Sequence, residues 1–346
     1  MSGSQEKKLI PIPHNKCCGF MVPASVQTAD TRETVREPFC IAKQNTIETD
    51  GFPMKEYHII NPAAGHGMAL DAAKKQASPD AILYITTGVG DARRYLAETL
   101  SGLDEDVRVY VWGGDGTIGE AVSGIMDANA AAHAILTACP AGTGNDFVKV
   151  FADVPKGTEL RLDLLFCGDR YVLNMINIGF DCAVADRMSA WKKKPLIRGS
   201  MAYFCAIAEV FFRPLGTPLT ICYTDESGEE HTVSGSFLLS AVANGQFCGG
   251  GFRGAPTADL SDGTAELIMF DEIPRSRIMS LIGLYRVGKH VDEMGQPVAQ
   301  ISDVLRYVRC RRVRISGMKI VCLDGEIVPG EEIDISILPG ALRYMV

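Results

Sequence analysis

From Tyr57 to residue 138 the chain alternates two hydrophobic periods at short, regular intervals, and few folds accept that pattern. Strand-like runs lie at 57–60, 81–85, 107–112 and 134–138, and helix-like runs at 68–77, 91–100 and 118–127. Strands that take turns with helices at this spacing predict a parallel sheet covered by helices. The third strand, carrying Val107, Val109 and Val111, stops at Gly113-Gly114-Asp115-Gly116-Thr117. Apolar residues then recur at Ile118, Val122, Ile125 and Met126, which is helical spacing. A glycine turn between strand and helix lets backbone N–H groups and a positive helix end approach phosphate oxygens. Asp115 in that turn would set a carboxylate beside such phosphates, where a magnesium ion is held. A tight structural turn is the plainer alternative for this one string.

Beyond about residue 158 the period changes. Two strands are expected in 161–178 around Cys167-Gly168-Asp169, and further strands at 219–223, 233–243, 265–270, 313–315, 319–323 and 333–338. Only two helical stretches, near 199–212 and 275–288, interrupt them, which predicts a mostly antiparallel domain. The fold class is therefore α/β plus β. An N-terminal parallel-sheet α/β nucleotide-binding domain is expected at 54–157. A second, mostly antiparallel β domain follows at 158–346, its C-terminal segment free to return to the first. Residues 1–53 lack sustained periodicity and are expected to be a loosely ordered extension, with Met54 starting the folded unit.

With 346 residues, 47% hydrophobic and 22% charged, the chain has room for two such domains. A net charge of −8 argues against nucleic acid as a partner and leaves any attraction to an anionic membrane to a local basic patch. Eleven cysteines, with Cys17-Cys18 adjacent and no paired CxxC spacing, read as reduced thiols in a cytosolic protein. The longest apolar stretch, Met201–Phe212, is broken by Glu209 and too short to span a bilayer.

Three glycine-containing loops follow predicted parallel strands. They are Asn61-Pro62-Ala63-Ala64-Gly65-His66-Gly67, Gly113–Thr117, and Pro140-Ala141-Gly142-Thr143-Gly144-Asn145-Asp146-Phe147. In an open α/β sheet the carboxyl ends of the strands share one edge, where ligands bind. Three such loops on one rim predict a phosphate-binding crevice. Thr86-Thr87-Gly88-Val89-Gly90-Asp91-Ala92 adds a fourth, with Asp91 equally readable as a helix N-cap.

In order, NPAAGHG, TTGVGDA, GGDGT, PAGTGNDF, GGGFRGAPTADLSDG and a late LDGE resemble the diacylglycerol kinase catalytic family, particularly its soluble bacterial lipid kinases. The likeness covers about 54–346. It implies ATP-dependent phosphorylation of a lipid hydroxyl, most simply diacylglycerol to phosphatidic acid, a step of phospholipid biosynthesis. Carried over by position, ATP would meet Asn61, Pro62, Gly65, His66, Gly67, Thr86, Gly113, Gly114, Asp115, Gly116, Thr117, Glu120, Gly142, Thr143, Asn145 and Asp146. The resemblance also places Mg2+ near Asp262, flanked by Asp259 and Thr264, through backbone oxygens. Glu326 in Leu323-Asp324-Gly325-Glu326 matches the residue that accepts the substrate hydroxyl's proton, and Asp115 joins it as catalytic. By itself, Asp324-Gly325 between alternating runs says only hairpin.

Three positions depart from the family pattern. Gly119 replaces an Asn, removing a hydrogen bond of roughly 1 kcal/mol. Ser261 replaces an Asp beside the metal position, and His66 stands where a longer cation is frequent. The expected partner is a lipid, reached by reversible contact with the inner face of the membrane. Trp191-Lys192-Lys193-Lys194, Arg198 and Met201–Phe212 combine an aromatic, cations and an apolar face. A solvated lysine loop before a core helix is the alternative. Arg306, Arg309, Arg311, Arg312 and Arg314 read as a solvated face. The rival functions are an NAD kinase, which shares GGDGT, and a nucleotide-binding relative with weak turnover. The sequence leaves the lipid's identity and a homodimer open.

Overall fold

The computed structural model describes residues 54–141, 145–192, 194 and 200–346. The expected extension 1–53, with Cys17 and Cys18, lies outside the described residues, as do Gly142, Thr143, Lys193 and Arg198 and the side chains of His66 and Lys192.

Strands β1 (Lys55–Ile60), β2 (Ile82–Ile85), β3 (Val107–Gly113) and β4 (Ala134–Pro140) pair in parallel in the order β2-β1-β3-β4. Helices α1 (Ala69–Gln76), α2 (Asp91–Thr99) and α3 (Asp115–Asp127) connect them. Val107, Val109, Val111, Ile59 and Leu136 are wholly buried against Leu96, Ile118, Val122 and Ile125 of the helices. Ile118, Val122 and Ile125 are the helical-period residues of the sequence. Yet α3 starts at Asp115, not at 118. Gly114 is extended (φ −97°, ψ −175°) and the next three residues form the first turn. That turn is polar, so the apolar period alone misses it. An acidic residue there suits the positive helix end.

The second half begins with β5 (Glu159–Cys167), β6 (Arg170–Val172) and β7 (Met175–Gly179). A third helix, α4 (Phe180–Lys192), then precedes α5 (Ser200–Phe211), where only two helical stretches were expected beyond 158. Its spacing Phe180, Val184, Met188, Trp191 is helical, but it follows a strand with no intervening turn residues except Gly179. Gly179 has φ +89°, and a Cβ there would come within 2.6 Å of the Leu238 carbonyl oxygen. Only glycine lets the strand break into a helix at that point.

β8 (Thr217–Asp225), β9 (Glu230–Ala243), β10 (Ala265–Asp271), α6 (Arg275–Val287) and β11 (Leu305–Ser316) follow. β9 and β11 are long enough to pair with different neighbours along their two halves within one continuous sheet. The first half of β9 pairs with β8 and its second half with β7 and β10. β11 likewise passes from β10 to β8 and β14 (Glu332–Met345). Phe237, Leu267, Met269, Ile315 and Ile335 fill the space enclosed. Helices α4, α5 and α6 cover the opposite face of β7 and β9. A short hairpin, β12 (Ile320–Leu323) and β13 (Glu326–Pro329), is added beside β7.

β14 joins the two halves. It runs antiparallel to β5 and parallel to β4, pairing Arg343 with Ile135 and Tyr344 with Leu136. Arg343 is fixed at the seam by Glu159 and Asp106, both at 2.7 Å. The architecture is thus parallel α/β followed by antiparallel β. The arginines of β11 form ion pairs along the outer surface, Arg312 and Arg314 with Asp334 and Arg306 with Asp271. The described cysteines are free, and Cys167, Cys182, Cys310 and Cys322 are buried. No helix among the described residues is long and apolar enough to cross a membrane.

Candidate active site

Because β1 to β4 are parallel, the loops that follow them emerge on one edge, and hydrogen bonds tie three of these loops together. The Asn61 backbone N–H donates to the Trp112 carbonyl at 2.9 Å, and its amide Nδ2 donates to Thr117 Oγ1 at 3.1 Å. Ala141 N–H reaches the Gly113 carbonyl at 3.0 Å. Asp115 accepts the backbone N–H groups of Asp146 and Phe147 at 3.1 and 3.2 Å. Gly65 sits against Ala141 with φ +61°, a backbone shape that glycine adopts without cost. Asn61, Pro62, Gly65, Gly67, Gly113, Gly114, Asp115, Gly116, Thr117, Asn145 and Asp146 therefore surround one rim. Backbone N–H groups at the start of α3 face it, a ready anion site.

Two expected rim residues are turned elsewhere. Thr86 is buried and its hydroxyl donates to the Ile60 carbonyl at 3.3 Å. Glu120 accepts the N–H groups of Gly90 and Ala92 at 2.8 and 3.3 Å, so its carboxylate serves the start of α2 rather than the crevice. Asp91 is the first residue of α2, following Gly90 in the N-cap position. Its carboxylate gathers Thr87, Tyr84 and Arg94, and these hydrogen bonds, the Thr87 N–H foremost, hold its pKa well below the usual carboxylate range.

The rim is closed by the second half of the chain. Asp146 accepts the N–H of Gly250 at 2.7 Å and the Lys149 ammonium at 2.6 Å. Gly249, Gly250 and Gly251 all have positive φ, so the GGGF loop bends its backbone toward Asp146. The hairpin turn Asp324-Gly325 is near enough for the charge of Asp115 to act on it. Burial pushes the Asp324 carboxyl up to about 6, and the charge of Asp115 contributes to the rise. Glu326, the first residue of β13, is exposed and its Oε2 meets Arg170 Nη1 at 2.9 Å. Sequence reasoning named neither Arg170, Lys149 nor Gly250, and read Asp324 only as a turn.

Asp259, Asp262 and Thr264 lie on the turn before β10. Asp262 accepts Thr264 N–H and Oγ1 at 2.9 and 2.7 Å and pairs with Arg309 at 3.0 Å. Asp259 holds Ser261. Buried Asp163 accepts the N–H groups of Gly263 and Gly340 at 2.6 and 2.7 Å. Burial raises the Asp163 pKa, with the charges of Asp262 and Asp259 adding to the effect. The Asp262 and Asp259 carboxylates are thus committed, and a metal here would be held through backbone oxygens. A turn with negative surroundings and only oxygen donors suits a hard cation such as Mg2+.

Two family models divide the chain. Residues 56–176 match the diacylglycerol kinase catalytic domain, and residues 174–346 match the YegS C-terminal NAD kinase beta sandwich-like domain. A Pseudomonas savastanoi protein named "probable lipid kinase YegS-like" is 30% identical, over 75% of this chain and 81% of its own length. A Mycobacterium tuberculosis protein named diacylglycerol kinase is 28% identical, over 83% of this chain and 93% of its own. In fold, the chain resembles the crystal structure of a diacylglycerol kinase from Bacillus anthracis, with TM-score 0.59 and 21% identity over 84% of this chain and 96% of that one. With its parallel-strand loops joined to an antiparallel lobe through Asp146 and Gly250, the chain belongs to the YegS-like lipid kinases of the diacylglycerol kinase catalytic family.

Proposed function

We propose that this chain transfers the γ-phosphate of ATP to the hydroxyl of a diacylglycerol, at a membrane surface. The observation that carries the reading is the tie between Asp115 and the N–H groups of Asp146 and Phe147, which gathers two phosphate loops near the Glu326 hairpin.

Phosphoryl transfer needs positioning and neutralisation of charge more than covalent chemistry. The N–H groups at the start of α3 and the loop after β1 cradle the phosphates. Asp115 keeps the Asn145–Phe147 turn in place, with carboxylate lone pairs left over for the crevice. Glu326 takes the proton of the lipid hydroxyl as its oxygen attacks phosphorus. Backbone oxygens of Asp259, Asp262 and Thr264 would hold Mg2+, which when bound would supply positive charge at that turn.

Contact with the membrane is supported by α5. Met201, Cys205 and Ala208 recur at helical spacing along its outer side, Phe212 follows directly after its last residue, and Met201 and Phe212 are 54% and 80% exposed. Lys194 lies over the Trp191 ring, 3.6 Å from its centroid, at the end of α4. An apolar stripe edged by cations suits a reversible interfacial contact at the inner, anionic leaflet.

The test is incubation with labelled ATP and Mg2+ plus either diacylglycerol in mixed micelles or NAD. Label in phosphatidic acid is expected. Label in a phosphorylated dinucleotide, or in neither product, would overturn the reading.

A further inference from the structure

We propose that Asp324 is the positioning residue for Glu326, setting the proton acceptor's place through the backbone of Leu173–Met175. The proposal rests on Glu326 as that acceptor.

The turn alone does not explain a carboxylate at this position. Leu323 and Glu326 pair across Asp324-Gly325, whose φ values are +46° and +92°. Both central residues are left-handed, the shape of a tight two-residue hairpin loop, and asparagine or glycine would serve it equally well. What distinguishes Asp324 is where its carboxylate goes. It accepts three consecutive N–H groups, of Leu173 at 2.7 Å, Asn174 at 3.0 Å and Met175 at 2.9 Å. Its own N–H donates to the Met175 carbonyl at 3.1 Å. Successive N–H groups of this kind form a concavity that takes an anion. A neutral amide would bring its own N–H2 against donors.

The segment that receives Asp324 is itself fixed. The Asn174 carbonyl accepts the N–H groups of Asn244 and Gly245, both at 2.9 Å. The Asn244 amide reaches the carbonyls of Leu173 at 2.8 Å and Asp163 at 2.9 Å. At its other end the same stretch supplies Arg170, the partner of Glu326.

Glu326 has little else to hold it. It is 64% exposed at its side chain, and β13 has four residues, pairs among the described strands with β12, and packs beside α4. β12 is laddered to β7 through Cys322–Asn177 and Leu323–Ile176, and beyond that ladder the turn and Glu326 are tied to residues 170–175 at two points, one buried and one exposed. The exposed pair is the weaker of the two. The buried carboxylate therefore fixes the turn from which Glu326 projects, where the β12–β7 ladder has already ended.

Misplacing a reacting group by about 1 Å can cost about 100-fold in rate, so Asp324→Asn should lower kcat for lipid phosphorylation by about that factor. KM for ATP should stay within about twofold, because the phosphate loops are untouched. In a Glu326→Gln background the same substitution should cost less than about threefold, since it acts only through Glu326. If Asp324→Asn does not fold, Asp324→Gly keeps the left-handed backbone and carries the same comparison. Losses that multiply in the double variant, a parallel rise in KM for ATP, or unchanged kcat overturns the positioning role alone. Full turnover in Glu326→Gln by itself removes the proton-acceptor reading, and the proposal with it.

Discussion

Asp115 Oδ1 accepts the backbone N–H of Phe147 at 3.2 Å, joining the start of α3 to the turn after β4 across 32 positions of chain. The residue at the centre of the GGDGT string is therefore also a structural clamp. Leaving buried N–H groups unpaired costs about 1–3 kcal/mol, so Asp115→Ala should lose stability as well as turnover. Urea unfolding should move to lower midpoint for Asp115→Ala, whereas Asp115→Asn, which keeps one acceptor, should fall between it and the parent. Identical midpoints for all three would count against the clamp.

Glu326 should behave in the opposite way. Its carboxylate is exposed and meets only Arg170, and exposed ion pairs add about 0–1 kcal/mol to stability. Glu326→Gln should therefore unfold as the parent does while its kcat falls by about 10²–10⁴-fold, the usual worth of general base catalysis. Thermal scans and steady-state rates on the same preparation check both halves.

Much of this layout is legible from residues alone, and the illegible part has physical reasons. The four parallel strands and their loops follow from Val107–Val111 and its neighbours, because local period fixes local shape. Glu120 and Thr86 show the limit. Both lie within rim motifs, yet one caps α2 and the other bonds to β1, since orientation depends on partners distant in sequence. Asp324 is harder still. Asp-Gly satisfies the turn rule completely, so nothing in the string signals that the carboxylate reaches back to Leu173. Helix α4 was hidden for a different reason: a single glycine does the work that several turn residues usually do.

The outer side of α5 gives a prediction that separates binding from chemistry. Phe212 is 80% exposed and takes no part in the hydrogen bonds that tie the loops around Asp115. Burying a phenylalanine side chain is worth about 1.5–3 kcal/mol, so Phe212→Asp should weaken vesicle binding by about tenfold or more. Co-sedimentation with phosphatidylglycerol vesicles measures this. Turnover on a short-chain, monomerically dispersed diacylglycerol should be unchanged. Equal binding by parent and variant would remove α5 from the membrane contact.

Stability against pH should show two opposed slopes between about pH 4 and 6. Burial lifts the carboxyls of Asp324 and Asp181 to about 6. For a group raised in this way the folded state holds the extra proton, so its contribution is complete below the ordinary carboxylate pKa and is lost as pH rises through 6. His290 works the other way. Enclosed by Tyr285, Phe270 and Tyr307, it is pushed down by burial to about 4. Its contribution is complete above about 6.5 and is lost as pH falls through 4. Each group alone gives at most about 1.4 kcal/mol per pH unit, so in the parent the two carboxyls outweigh the one imidazole and a shallow fall remains. His290→Phe should leave the carboxyl slope exposed, with urea midpoints falling from pH 4 to 6. Asp324→Asn should flatten the profile, because Asp181 and His290 then offset each other over the same interval. Parallel profiles for the two variants would show that these groups do not govern acid stability.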